Sequence, residues 1–132
     1  MVTLTFPSSH KSQLMDISTE IQEEVIKSGI KDGICTIFVP HTTASVFLFE
    51  NQDPNLERDL LNSLKKRAQI DGEYSHTGDN AAAHLKSAMM GNSVTVFVQD
   101  AKLVLGKWQG IVFGEFDGPR QERKVMMKVS AH

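Results

Sequence analysis

The sequence has little of several features that mark particular protein classes. It contains a single cysteine among 132 residues, and no apolar run approaches the ~18 residues that a membrane-spanning helix needs. Its 14 lysines and arginines are balanced by 16 acidic residues, and the resulting net charge of -2 provides no basic field for a phosphate backbone. These absences argue against a disulfide framework, against a membrane span and against nucleic acid as a partner.

Common nucleotide and catalytic motifs are also missing. The chain has no P-loop, no G-x-G-x-x-G, no G-x-S-x-G and no C-x-x-C, so we expect no nucleotide cofactor. Cys35 lies in an apolar run, where it is typical of a small buried hydrophobe rather than of a reactive thiolate. The segment Met1–Pro7 lacks a basic region followed by a long apolar core, which predicts a cytoplasmic protein.

What is present fits one globular domain. Hydrophobic residues make up 40% of the chain and charged residues 23%, which is ordinary for a soluble domain of this length. Such a chain buries enough surface to fold without a structural metal. Because no linker, repeat or low-complexity tract divides it, we expect a single domain over residues 1–132.

The first part of the chain alternates between strand and helix patterns. Val2–Phe6 shows the period-two spacing of a half-buried strand, and the continuous apolar run Gly33–Val39 predicts a strand covered on both faces. A further pattern predicts a strand over Val46–Phe49. Three helices are also predicted. The first covers Ile17–Val25 and ends before Gly29, the second begins at Asp53–Pro54 and has its apolar face over Leu56–Leu64, and the third runs from Asp79 or Asn80 to Met90.

Downstream the spacing changes to period two. Alternating apolar residues predict strands around 94–98, 103–105, 111–113 and 125–129. Short connections at Asp100–Ala101 and Asp117–Pro119 favour antiparallel hairpins over helical crossovers. The whole pattern predicts an α+β fold, with an antiparallel sheet or sandwich that carries about three helices.

Three of the five histidines lie in two polar segments, His41–Ser45 and His76–His84. Neutral imidazole is both a physiological acid–base group and a common metal ligand. His41, His76 and His84 could hold zinc or another divalent ion such as magnesium with one open position, or serve as acid, base and hydrogen-bond donors. The structural alternatives are a solvated turn at His76 and a helix histidine bound to backbone at His84.

The start of the third helix offers a second chemistry. A helix that begins at Asn80 carries Asn80 and His84 on one face, and its free N–H groups suit an anion such as phosphate. Asp79 and Asn80 are equally compatible with plain helix caps.

Glu115 and its neighbours form the last polar segment. Alternation places Glu115 on the covered face with Ile111 and Phe113, where a carboxylate is costly unless it is paired. Arg120 is a candidate for that pairing or for binding an anionic substrate, unless it is an ordinary surface arginine. Trp108 fits a core or interface position better than a stacking platform for substrate.

Five segments, taken together and in order, resemble the YjbQ-like family over nearly the whole chain. They are His41–Ser45, N-Q-D-P at 51–54, Tyr74–His76 with Asp79–Lys86, L-G-K-W-Q at 105–109, and Glu115–Arg120. The chain departs from the family pattern at Lys107, where threonine is usual, and at Ala101, where a hairpin glycine is usual. The resemblance implies a β-sandwich-like α+β fold, a homotrimer and a site that contains His41, His76 and His84. An apolar second half rich in strands also favours self-association, because strand edges left open tend to pair.

The resemblance further implies an enzyme like the secondary thiamine-phosphate synthases, acting on small phosphorylated metabolites with or without a divalent metal. The predicted catalytic residues are His41, His84 and Glu115. The predicted substrate-binding residues are Thr42, Asp79, Asn80, Trp108, Gln109 and Arg120. The alternative is a homotrimer that binds a metal or a small anion through the same residues without turnover.

Overall fold

The structure is a computed structural model that describes residues 1–132 as eight strands and three helices. In chain order the elements are β1 (Val2–Phe6), β2 (Gln13–Asp16), α1 (Ser18–Ser28), β3 (Gly33–Phe38), β4 (Ala44–Glu50), α2 (Pro54–Arg67), α3 (Ala81–Met90), β5 (Ser93–Gln99), β6 (Lys102–Leu103), β7 (Gln109–Glu115) and β8 (Arg123–Ala131).

The strands form two sheets in which every neighbouring pair is antiparallel. One sheet has five strands in the order β1-β8-β3-β5-β6, and the other has three in the order β2-β7-β4. The main core lies between them and combines Ile37 of β3, Val46 of β4 and Phe113 of β7 with Ile21 and Val25 of α1. The predicted α+β fold, with an antiparallel sandwich-like core and three helices, is confirmed.

A smaller core covers the other face of the three-stranded sheet. Leu14, Phe47 and Val112 pack there against Leu60 and Leu61 of α2. Of the predicted apolar face of this helix, Leu64 is fully covered, whereas Leu56 at the first turn remains 38% exposed. The helix α3 packs against α2 and against the start of the loop that follows β7, through Ala83, Leu64 and Phe116.

Local signals placed the helix ends correctly. The side chain of Asp53 accepts a hydrogen bond from the backbone N–H of Asn55 and caps α2, with Pro54 as the first helical residue. Gly29 ends α1 with φ of 72°, a left-handed conformation that glycine adopts without a steric cost. Cys35 is buried, and burial raises the pKa of its thiol to about 11, so the interpretation as an inert buried hydrophobe is confirmed.

One strand prediction was wrong in part, and one strand was missed. β3 is not covered on both faces: Cys35 and Ile37 point into the core, whereas Ile34 and Phe38 are 38% and 41% exposed. This occurs because no helix packs on the outer face of the five-stranded sheet. The strand β2 was not predicted, because four residues with adjacent Leu14 and Met15 show no alternation.

The connection at Asp117–Pro119 is not a hairpin. β7 pairs with β2 and β4, whereas β8 pairs with β1 and β3, so this loop crosses from one sheet to the other. The hairpin predicted at Asp100–Ala101 is confirmed, since β5 and β6 pair on either side of it. None of the three helices is both long and apolar enough to span a membrane.

Candidate functional site

His84 lies at the centre of the candidate site. It lines a cleft of about 350 Å³ together with His76 and Tyr74, and a second cleft of about 310 Å³ together with His41 and Thr42. The structure therefore places His76 and His41 on the two sides of His84. No side chain or backbone group of the chain hydrogen-bonds the His84 ring, so its two nitrogens are free for a ligand.

A hydrogen-bonded chain connects this groove to a carboxylate. Asn80 donates through Nδ2 to Asp117 Oδ2 at 3.0 Å, which fixes the orientation of its amide. The Asn80 Oδ1 is then an acceptor, so His76 carries its proton on Nε2, 3.1 Å away. The His76 and His84 rings meet edge to face with their centroids 5.3 Å apart. Asn80 is the N-cap residue of α3, as predicted, but its side chain forms no capping hydrogen bond because it is bound to His76 and Asp117.

Asp117 is the electrostatic centre of the neighbouring loop. Lys11 Nζ lies 2.6 Å from Asp117 Oδ1, and Arg120 Nη2 lies 3.0 Å from Asp117 Oδ2. Burial alone would raise the pKa of Asp117, but the hydrogen bonds from Lys11, Asn80 and Arg120 and the charge of Lys11 outweigh it and lower the pKa to about 2. The carboxylate is therefore charged at neutral pH and holds both cations beside the groove.

His41 has a defined protonation state. Its Nε2 accepts a hydrogen bond of 2.9 Å from the backbone N–H of Lys124. Burial lowers the pKa of His41, and the charge of nearby Arg123 lowers it further against the opposing effect of Glu115. A neutral ring that accepts at Nε2 carries its proton on Nδ1, so in this arrangement His41 offers a hydrogen-bond donor to the cleft.

Glu115 is buried and paired. Arg123 donates to its two oxygens at 2.8 and 2.5 Å, Ser8 Oγ donates at 2.7 Å, and the backbone N–H of Asp117 donates at 3.0 Å. Burial would raise the pKa of Glu115, but these donors and the charge of Arg123 lower it, so the carboxylate stays ionised. The expectation that a partner is needed holds, but Arg123 is the partner. Arg120 does not pair with Glu115 because it is bound to Asp117 instead.

Three predicted binding residues lie outside the histidine groove or at its edge. Gln109 begins β7 and Trp108 directly precedes it, whereas Glu115 ends the strand, a separation of roughly 20 Å along a strand of this length. Within one chain they do not reach the histidines. Trp108 is 56% exposed, so its interpretation as a core residue was wrong. Asp79 is exposed beside Asn80 at the start of α3.

The histidines of one chain do not fit a metal site. No group of three or more His, Cys, Asp or Glu side chains is arranged to hold a metal ion. His41 and His76 each use Nε2 in a hydrogen bond within the chain, and they line different clefts. Within one chain, these three histidines therefore do not form a metal centre.

Sequence patterns alone missed two cations of the site. Arg123 was overlooked although it stands two residues before Val125 and four before Met127, and extending that period-two pattern backwards places it on the buried face. Lys11 carries no comparable signal, because it lies in an irregular segment and reaches Asp117 only through the tertiary fold.

Comparisons with known proteins converge on one family. The family model described as UPF0047 protein YjbQ-like matches residues 2–132. A UPF0047 protein of Methanocaldococcus jannaschii is 40% identical over 92% of this chain and 88% of its own length. The UPF0047 protein YugU of Bacillus subtilis is 39% identical over 89% of this chain and 90% of its own length.

Solved structures give the same result. A crystal structure of a YjbQ/UPF0047 family protein from Clostridium acetobutylicum superposes with a TM-score of 0.95 at 41% identity, covering 98% of this chain and 100% of that one. A protein of unknown function from Sulfolobus solfataricus also superposes with a TM-score of 0.95, at 34% identity, covering 99% and 96% of the two chains.

Proposed function

We infer that this chain, which belongs to the YjbQ-like UPF0047 family, is an enzyme that joins or processes small phosphorylated metabolites. The observation that carries the proposal is the position of His84, whose ring has no partner within the chain and lines two clefts between His41 and His76. An imidazole that faces a cleft and has no partner in the chain is suited to proton transfer.

The groups around His84 support distinct roles. His41 donates from Nδ1 to bound substrate, and Thr42 lines the same cleft. His76, oriented by Asn80 and through it by Asp117, positions the acid–base group from the other side. Arg120 uses Nε and Nη2 on Asp117, which leaves Nη1 for an anionic group of the substrate. Glu115 acts indirectly, because all its oxygens are held by Ser8, Arg123 and backbone.

The reaction we propose resembles thiamine-phosphate synthesis from a pyrimidine pyrophosphate and a thiazole phosphate. The thiazole nitrogen forms a bond to the carbon that bears the pyrophosphate, the carbon–oxygen bond breaks, and pyrophosphate leaves with the electron pair. Protonated His84 donates a proton to the leaving oxygen, and Arg120 offsets its negative charge. A metal ion is not part of this proposal, because the three histidines do not converge on one point.

The test is release of pyrophosphate from these two substrates by the purified protein. We expect His84→Asn to lower the rate about 100-fold, in the range usual for a general acid or base. His132→Asn is the matched control, because His132 is an exposed histidine at the other end of the chain. Equal rates for wild type and His84→Asn contradict the proposal. Ligand binding without turnover in the wild type supports instead a non-catalytic anion-binding protein.

We also propose that the protein assembles as a homotrimer, as the resemblance implies. The outer face of the five-stranded sheet carries apolar side chains in register across neighbouring strands. Ile34 stands opposite Phe97, and Phe38 stands opposite Met126. Phe97 is 70% exposed, which is costly for a large aromatic side chain unless another copy covers it.

A further inference from the structure

Lys86 is a buried lysine that has no partner. It lies on α3 with only 5% of its surface exposed, yet it forms no ion pair or side-chain hydrogen bond within the chain. Lysine is almost never fully buried unless it is paired, since removing a charge from water is expensive. No group of the chain therefore compensates the charge.

Two other lysines lie near Lys86, and no carboxylate is paired with Lys86 itself. Lys65 follows Leu64 on α2, and Lys11 is bound to Asp117 next to Phe116. Leu64 and Phe116 both pack against Ala83 on the same side of α3. Burial lowers the pKa of Lys86, and repulsion from Lys11 and Lys65 lowers it further, with no acidic group acting in the opposite direction.

The ammonium group keeps an opening to solvent. Among the polar side-chain atoms that are inaccessible to solvent, only Ser45 Oγ has no hydrogen-bond partner. Lys86 Nζ also has no partner, so it must keep some contact with solvent. An ion in the solvent can therefore contact Nζ.

We propose that Lys86 is the anchoring cation of a phosphate-binding subsite between α2, α3 and the segment that carries Lys11. The ligand is inorganic phosphate or the phosphate group of a monoester. Lys65 and Lys11 surround the bound phosphate, and its two negative charges replace the partner that Lys86 lacks. A point charge on a flexible stem is suited to this task, since lysine binds phosphate without fixed geometry.

The anchoring residue of this subsite, Lys86, points away from the histidine groove. Lys86 and His84 are two residues apart on α3, so they point roughly 200° apart around the helix axis. The subsite extends the proposed function by naming a phosphate anchor on the opposite side of α3. Its test does not depend on turnover at His84.

Phosphate binding should be measured by titration calorimetry on the whole protein, with inorganic phosphate and glycerol phosphate as the two probes. We expect Lys86→Met to weaken the affinity about tenfold or more. Lys66→Met is the matched control, since it removes the same charge from an exposed position on α2 and should leave the affinity unchanged. His84→Ala should retain phosphate binding. Tighter binding of one probe identifies free phosphate or a monoester as the natural ligand.

Stability provides a second readout. Lys86→Met removes a buried unpaired charge, so without phosphate it should unfold at the same or a higher temperature than wild type. Adding phosphate should raise the unfolding temperature of wild type, but not of Lys86→Met, relative to sodium chloride at equal ionic strength. If Lys86→Met does not fold, Lys65→Met should show weakened binding in its place.

The proposal is overturned if neither probe binds to wild type, or if Lys86→Met binds the probes as tightly as wild type does. Binding that His84→Ala abolishes and Lys86→Met leaves intact places the phosphate in the histidine groove, which also overturns this proposal but supports the proposed function. Loss in Lys86→Met alone confirms the subsite even if no turnover is found.

Discussion

Arg123 holds Glu115 with two nitrogens, Nε on Oε1 at 2.8 Å and Nη2 on Oε2 at 2.5 Å, and the two side chains are 4% and 0% exposed. The pair joins the last residue of β7 to the first residue of β8, which belong to different sheets. It therefore connects the two sheets at the end of the molecule that carries the histidine groove.

Breaking this pair should destabilise the fold strongly. We expect Glu115→Ala to lower the free energy of unfolding by roughly 3–5 kcal/mol, because it leaves a buried arginine without its partner. The double variant Glu115→Gln with Arg123→Met should recover part of the loss, since no unpaired charge remains. Urea unfolding measures both. A loss no larger than that of Glu122→Ala, an exposed neighbour, would contradict the importance of the pair.

Asp117 predicts an acid limit for stability. Its pKa falls from 3.8 in the unfolded chain to about 2 in the folded one, so the folded state favours the charged form. This contribution is fully present above pH ~4 and is lost as the pH falls towards ~2. Comparing wild type with Asp117→Asn by chemical unfolding at several pH values should show a difference that shrinks over this window. A constant difference would argue against a depressed pKa.

His84 should matter for ligand binding rather than for folding. Its ring has no hydrogen bond to lose, and alanine is a good helix former, so His84→Ala should change the free energy of unfolding little. The same variant should lose binding of pyrimidine pyrophosphate, measured by calorimetry. A buried histidine with unpaired neighbours would behave in the opposite way, with a cost of roughly 1–3 kcal/mol and retained binding.

Metal content offers a direct check on the histidine geometry. We expect the zinc content, measured by mass spectrometry, to be the same in wild type and in a triple variant that combines His41→Ala, His76→Ala and His84→Ala. The reason is that these three side chains are not arranged around a common point within the chain. Loss of about one zinc per chain in the variant would show otherwise. The occupancy of wild type would then fall on acidification, since only neutral imidazole binds metal.

Assembly can be tested on the outer sheet face. Light scattering of wild type should give three times the 14.7 kDa mass of one chain. Phe97→Lys should shift the mass towards a single chain, because it places a charge opposite Ile34 in the apolar patch. Ile26→Lys is the matched control, as Ile26 is a 62% exposed apolar residue on α1. A single-chain mass for wild type at micromolar concentration would refute the trimer.

The elements that could be predicted from sequence are those with a local cause. Asp53 and Pro54 specify the start of α2, and Gly29 specifies the end of α1. The spacing of Asn80 and His84 on one helix face was likewise readable from the chain. These features depend on contacts within one helical turn, so no knowledge of the tertiary fold was needed.

The errors share a different cause, which is long-range pairing. Period-two spacing identifies β7 and β8 as strands but not the sheet to which each belongs, so the loop between them was taken for a hairpin. For the same reason, Arg120 was predicted as the partner of Glu115, whereas the structure pairs Glu115 with Arg123. The burial of Lys86 was equally hidden, because α3 packs against α2 and against the loop after β7, which are distant from it in sequence.

The loop between β7 and β8 is bound to the segment between β1 and β2 along its length. Ser8 N–H donates to Arg120 O at 2.8 Å, Arg120 N–H donates to Ser8 Oγ at 3.0 Å, and Gly118 N–H donates to Lys11 O at 3.1 Å. These three hydrogen bonds join the two irregular segments, so we expect the segments to open together rather than one at a time. Their amide hydrogens should exchange as slowly as those of the core strands, and a ligand meets Asp117 and Arg120 already ordered.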